Sequence, residues 1–550
     1  MKFNFIMDKL IFFIPITEVI IATYVLGFGL LITSFIYNKE DIKNHLNEIC
    51  ILGFCLSLPL AQITNFFFPI NNYFFYITYL IAIGIIYFHR SQLTSLNKWI
   101  FKLIIIFIIF LPFKYVIKGN EDLYYHLPKV EFLNQFKIIF GIAHINSSLS
   151  FTNGWAHISS VFNFLNGGDK NLYLSSYVFY ILVILTFYDY IKNSLSNNIK
   201  IFFSILILFV IIKFNRLQEF GNDYQSMLLI LLTLGLFLKY FFDKDEKKQI
   251  INKIIFFSFF AFMFRVYAIF LVPMFIILFK ERWGLFTIIN KKIIAIILVT
   301  FISTSLTSFA NSGCFFMPIE KTCIDKSKIS WSYHDNIKGL NLHLKSFNTS
   351  YGEYKKENKD ALSRQDWIKN FNWLKYHISS ERFLNPLAKT LTIILLIFVI
   401  FAFKYRLKIE KLNSKKILFL SLSSLSLLLW LLVTPLFRAG GFSYVSFFII
   451  SLLVLIFNFK KNFELKNLRF LLLIFLIIVS LINVNRLNKE VKEYQTSDPF
   501  FFTNWHTLNP AYHGHYTDLI KALNSKKNGI ISNTWQIIGN NNYWFISKIK

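Results

Sequence analysis

Acidic residues are scarce in this chain: 30 Asp plus Glu stand against 58 Lys plus Arg, a formal net charge of +28 over 550 residues. In a soluble protein that excess would point to nucleic acid. Here most of it lies in short connections between hydrophobic segments, where basic residues set topology by staying on the cytoplasmic side, so no nucleic-acid partner is expected. Cysteine is scarcer still, and four are too few for a disulfide scaffold. Cys50 and Cys55 open a hydrophobic segment and suit packing. Cys314 and Cys323 share one polar loop and could pair if it meets an oxidising compartment, which spacing alone leaves open. The N-terminus lacks the ordered basic, apolar and small-residue regions of a cleaved signal peptide, and none is expected to be removed. Repeats and low-complexity runs are missing as well.

What is present is apolar. Hydrophobic residues make up 55% of the chain, and 67 residues are Phe. Roughly 20 consecutive apolar residues span a bilayer core, and such stretches recur throughout, as at 10–37, 99–117, 172–191, 224–242 and 468–482. The abundant Lys, Asn, Ile and Phe also fit an AT-rich codon bias, which says nothing of function. The expected fold is an all-α polytopic membrane protein with about 12 transmembrane helices and one broken or re-entrant hairpin.

The hairpin follows from charge. Basic connections after the first, third, fifth and seventh spans (Lys39, Arg90, Lys192 and Lys247 among them) read as cytoplasmic. Counting 254–279 as one span would put Lys404, Arg406, Lys408, Lys411, Lys415 and Lys416 outside. Two short half-helices with Arg265 and Tyr267 near their tip return these residues to the cytoplasm. Such breaks occur at membrane depth only where they line a cavity or are buried in protein. The resulting organisation has N-terminal helices over 1–98, a membrane core over 99–310 containing a first external loop at 118–170, and a polar external segment at 311–387. C-terminal helices at 388–483 and an external tail at 484–550 complete it.

The polar residues most able to carry chemistry fall on the predicted external side. Glu121 and Asp122 form an adjacent acidic pair able to hold a divalent cation, Mg or Mn, or to deprotonate a hydroxyl nucleophile. Acidic residues at a helix start also simply suit its dipole. His126 follows Asp122 by one helical turn. The run from Phe140 to Trp155 is rich in amide, hydroxyl, imidazole and indole groups suited to a sugar-sized pocket, with His144 and Asn153 equally able to cap helices or pack. Asp223 is a further acid on the same side. Arg265 and Arg438 are cations at membrane depth or at its interface, where an anion such as a lipid phosphate is a natural partner. Snorkelling alone would also account for Arg438.

In these placements the chain resembles the GT-C superfamily of membrane glycosyltransferases. That family carries an acidic pair in its first large external loop and often another acid in the next, which Glu121, Asp122 and Asp223 match. A closer likeness, to an uncharacterised group of bacterial GT-C-like proteins associated with surface polysaccharides, rests on Tyr125-His-Leu-Pro-Lys-Val, Gly141 through Trp155, Ser312-Gly313 with Pro318 and Trp331, and Pro435 with Phe437-Arg438. The chain departs from that pattern at Cys314-Phe-Phe-Met, where a tyrosine-bearing motif is expected. The resemblance implies transfer of a sugar from a polyprenyl-phosphate donor to a glycan or lipid acceptor outside the bacterial plasma membrane. Asp122 would be the base and Glu121 its partner or a metal ligand, with His126, His144, Asn153, Asp223, Arg265 and Arg438 lining the substrate site. A flippase for lipid-linked sugars, or a surface-polysaccharide polymerase or ligase, is the competing expectation.

Overall fold

The apolar runs become helices whose starts are set by short polar side chains. The Asn71 side chain accepts from the Phe74 amide, Asn290 from the Lys292 amide and Asn413 from the Lys416 amide, each meeting an amide that the first turn leaves unpaired. The computed structural model describes residues 2–37, 40–114, 122–151, 153–163, 172–215, 223–242, 247–281, 289–358, 360–459, 463–494, 529–532, 535–539 and 544–548.

The first helices are α1 (Lys2–Ile36), α2 (Leu46–Phe67), α3 (Asn72–Phe88) and α4 (Leu96–Ile109). Short segments follow, α5 (Asp122–Gln135), strand β1 (Ile139–Phe140), α6 (Ser147–Ser150) and α7 (Gly154–Phe162). Long helices resume with α8 (Leu172–Asn193), α9 (Asn197–Lys213), α10 (Asp223–Phe242) and α11 (Lys247–Phe264). Next come the 3₁₀ helix Val266–Phe275, α12 (Ile276–Glu281) and α13 (Lys291–Ser312). Nine described helices are long and apolar enough to cross a membrane. The α4 segment is not one of them. It stops at Ile109 ahead of a 3₁₀ turn containing Pro112, which cannot continue the hydrogen-bond ladder, so the span expected at 99–117 is shortened.

Close approach holds the first pair of helices together. A Cβ on Gly53 would lie 1.7 Å from the Val25 carbonyl oxygen, and one on Gly29 would lie 2.0 Å from that of Ile49, so α1 and α2 touch backbone to backbone. At the start of α2 the buried Glu48 carboxylate receives Lys253 Nζ at 3.0 Å and the Tyr190 hydroxyl at 2.5 Å, which joins α2 to α8 and α11. Beside it Asn47 donates to Asp189 at 2.7 Å and accepts from the Trp99 indole at 2.9 Å, adding α4. Each named member of this network has a hydrogen-bond partner, the condition under which buried polar groups are tolerated.

The chain does break at Arg265. Its backbone is extended (φ −152°, ψ 130°) between α11 and the 3₁₀ helix. Beyond the break the chain runs back to the end where α11 began, since the Asn290 amide bonds Asn252 Oδ1 at 3.1 Å and its side chain bonds the Phe35 carbonyl at 3.3 Å. The limbs are therefore not half-helices. The 18 residues of α11 reach about 27 Å at 1.5 Å each, and the return limb gains length because 3₁₀ turns rise about 2.0 Å per residue.

Within the polar segment at 311–387, α14 (His334–Asn348), α15 (Tyr351–Glu357), α16 (Arg364–Ile368) and α17 (Trp373–Ser379) form a small helical cap, α15–α17 packing around Tyr351, Trp367 and Trp373. Cys314 and Cys323 are disulfide-bonded at its entrance. The last helices are α18 (Glu381–Tyr405), α19 (Ser414–Val433), α20 (Phe442–Ile456) and α21 (Leu465–Tyr494). Strands β2 (Leu407–Ile409) and β3 (Phe457–Phe459) pair antiparallel between them. The tail adds an exception to the all-helical expectation. Strands β4 (Gly529–Ser532), β5 (Trp535–Gly539) and β6 (Trp544–Lys548) form a sheet that β1 completes in parallel with β6, Ile139 opposite Trp544. Trp505, His506, His513 and His515 lie outside the described residues.

Gly53→Val should abolish the α1–α2 contact and cut the yield of monodisperse protein, whereas Gly84→Ala, with open space around it, should leave the elution profile unchanged. Thiol-directed mass tagging of unreduced protein should leave Cys314 and Cys323 unmodified, and prior reduction should add two tags at that pair.

Candidate functional site: a cluster of cations around His126

The break at Arg265 faces the first residue of α10. Arg265 Nε lies 2.8 Å from Asp223 Oδ1, both side chains being partly buried. The Tyr267 hydroxyl donates to the Asp223 carbonyl at 3.0 Å, and the Tyr444 hydroxyl donates to the Tyr267 carbonyl at 3.0 Å. The tip of the hairpin is thus tied to α10 and α20. The turn Phe437–Gly441 packs against it at Gly440, whose φ of 89° lies in the left-handed region and whose Cβ would come 2.8 Å from the Tyr267 ring. Two independent constraints demand glycine there.

Helix α5 brings the other groups. Positions 122, 126 and 129 fall on one side of an α-helix. His126 and Lys129 are buried, and Lys129 Nζ donates to the Phe151 carbonyl at 3.0 Å. Asn153 caps α7 by accepting from the Ala156 amide at 3.2 Å through Oδ1. That orients its amide nitrogen toward His126 Nδ1 at 3.3 Å, so Nδ1 accepts and the neutral ring carries its proton on Nε2.

Electrostatics explains why the ring is neutral. Burial pushes the His126 imidazole well below its usual range, and the nearby Arg265, Lys129 and Arg438 push it further in the same direction. Burial, then Arg265, brings the Lys129 ammonium down to about 7. Lys129, Arg265 and Arg438 thus lie near enough to His126 to disfavour its charged form, and Asp223 pairs with Arg265. Guanidinium groups gathered beside a neutral imidazole donor suit a phosphate oxygen cluster. Among the described residues no group of three or more His, Cys, Asp and Glu side chains could hold a metal ion.

On the far side of Lys129 a narrow cleft is lined by Asn65, Phe132, His157, Thr307 and Asn311. His157 is buried, and burial drives it down to about 3, with Lys129 adding to the shift and the Asn153 carbonyl opposing it.

Of the residues expected to form a site, His126, Asn153, Asp223, Arg265 and Arg438 come together. Asp122 is the first residue of α5, whereas Glu121 lies outside the described residues. His144 stands apart. Its Nε2 is 3.1 Å from the Trp331 carbonyl, its ring packs near Tyr333, and burial brings it down to about 4. It joins two loops, the packing role that the sequence left open. The sequence does not single out Lys129 or Tyr267 as site residues. A lysine in the Tyr125–Val130 motif, two turns after Asp122, was the available signal.

A largely helical chain with nine described helices of spanning length and a polar, cation-rich site at one end of the bundle defines a class of proteins, not an individual activity. The chain belongs to the family described as "Domain of unknown function (DUF8201)", which matches residues 10–445 and so takes in α2 through α19 and every described member of the cluster. No curated protein matches the chain, and no solved structure does.

Lys129 gives this site a pH signature. Between about 7 and the usual lysine range near 10.4 the unfolded chain binds a proton there that the folded chain does not, so stability rises with pH across that window. The melting temperature of the purified protein should climb from pH 7 to 10 relative to Lys129→Met. Parallel profiles for the two proteins would contradict the assignment.

Proposed function

We propose that the protein is a plasma-membrane glycosyltransferase that moves a sugar from a polyprenyl-phosphate donor to a glycan or lipid acceptor on the extracytoplasmic face. The observation that carries this reading is the grouping of the Asn153–His126 contact, the Arg265–Asp223 pair and the nearby Lys129 and Arg438 at the helix that Asp122 opens. The sidedness is supported by the Cys314–Cys323 disulfide next to the cap, a bond that persists in oxidising compartments. It is supported also by Lys239, which sits over Tyr190, and by Lys253 at the opposite end of the bundle.

In this mechanism the acceptor hydroxyl oxygen attacks the anomeric carbon and inverts it, as the bond from that carbon to the phosphate oxygen breaks. Asp122 takes the hydroxyl proton, and the polyprenyl phosphate leaves with the bonding electrons. Charge grows on the phosphate as it departs, so cations fixed in advance stabilise the transition state more than the ground state. Arg265 and Arg438 serve that purpose, and neutral His126 offers its Nε2 proton as a hydrogen bond. Asp223 holds Arg265 in place.

A second reading, transport of lipid-linked sugars, draws on the helix pair interrupted at Arg265, the kind of discontinuity that moving elements of transporters use. Catalysis and transport separate at one atom pair. With membrane levels matched, Asp122→Asn should lower surface-glycan transfer by about 10² to 10⁴, the usual loss for an essential base. Arg265→Ala should weaken donor use per molecule of inserted protein. Wild-type glycan from Asp122→Asn would end the catalytic reading and favour transport.

A further inference from the structure

The cap over α14–α17 is not an independent ornament, because one of its side chains grips the turn that carries Arg438. His377 of α17 is fully buried and uses both ring nitrogens. Nε2 lies 2.9 Å from the Pro435 carbonyl and Nδ1 lies 3.0 Å from Ser350 Oγ. A carbonyl only accepts, so Nε2 carries a proton. Burial holds the imidazole below its usual range and so favours the neutral ring, in which Nδ1 accepts from the serine hydroxyl.

Pro435 leads directly into the Phe437–Gly441 turn. Phe437 packs between Phe383 and Trp430, with ring centroids 5.5 and 5.4 Å away, and the Trp430 indole donates to the Ala439 carbonyl at 3.0 Å. Arg438 places its guanidinium 5.5 Å from the ring centre of Phe347, a residue of the cap. The same guanidinium is close enough to His126 to disfavour its charged form. Cap, turn and cation cluster thus form one chain of contacts: Ser350 to His377, His377 to Pro435, and Arg438 to the surroundings of His126.

We propose that His377 is a positioning residue for the anion site: through the Pro435 carbonyl it fixes the turn so that Arg438 faces His126 and Arg265. This rests on the phosphate-binding reading of the cluster given above. The role belongs to hydrogen bonding rather than to bulk. A side chain of similar size without the Nε2 proton would fill the space and still release the turn.

The test uses the full chain in lipid nanodiscs, with a short polyprenyl phosphate and the matching polyprenol as probes. Wild-type protein should prefer the phosphate. His377→Phe should reduce that preference roughly tenfold, the scale of one lost interaction of about 1.4 kcal/mol. Arg438→Ala should do the same, and the double variant should be no worse than either, because both changes remove one arrangement. His377→Gln, which keeps a donor for Pro435, should recover part of the preference. Losses that multiply in the double variant, or equal losses for phosphate and alcohol, would overturn the proposal. Hydrogen exchange reads the positioning without any ligand. His377→Phe should speed exchange of amides 436–441 while α20 stays protected, and unchanged exchange there would overturn the proposal as well. If wild-type protein does not distinguish phosphate from alcohol, the phosphate reading fails, and the exchange measurement alone decides whether His377 fixes the turn.

Discussion

A guanidinium set into the end of an apolar helix bundle must find a negative partner, and the pairing of Arg265 with Asp223 is the constraint around which this end of the molecule is arranged. The helix that would otherwise continue through residue 265 stops there, because the extended backbone turns the chain back toward its starting end. Tyr444 then donates to the Tyr267 carbonyl just past the interruption, and Tyr267 to the Asp223 carbonyl at the start of α10. Without a counter-charge at the start of α10, desolvation of Arg265 would cost several kcal/mol. The ion pair is consequently a requirement of the hairpin as much as a component of a site.

The opposite end of the bundle solves a similar problem differently. Glu48 is enclosed by Lys253 and Tyr190, and Asn47 and Trp99 continue the network through Asp189. There the polar groups close on one another inside the protein. Around His126 the side chains that meet include Lys129, Arg265 and Arg438, with Asp223 on Arg265. One end reads as a closed structural junction, and the other gathers guanidinium groups of the kind that recognise phosphate.

Much of the helical framework was legible in the sequence, because a span is a local property of some twenty residues. The interruption near Arg265 was legible too, since six basic residues beyond it had to be placed on one side. Its depth was not. Half-helices and full-length limbs carry the same parity, and only the return of Asn290 to Asn252 distinguishes them. His126, Asn153, Asp223, Arg265 and Arg438 could be nominated singly by residue type, but their meeting depends on how α5, α7, α10 and α20 pack. Lys129 and His377 escaped notice for the same reason. A lysine or histidine becomes informative only when burial and its neighbours are known. The tail's sheet was hidden because β1 is two residues long and its partner is remote.

That partner has a consequence for how the molecule is made. Strand β6 lies about 400 residues after β1, at the far end of the chain, and β1 forms the parallel edge of the tail's sheet. During synthesis the α5–α7 segment must wait, its short strand unpaired, until nearly every helix has entered the bundle. Long-range pairing of this kind closes last. The sheet therefore closes only after the helices between its two strands have been made: a chain released before β6 can build many of those helices yet leaves β1 without its parallel partner.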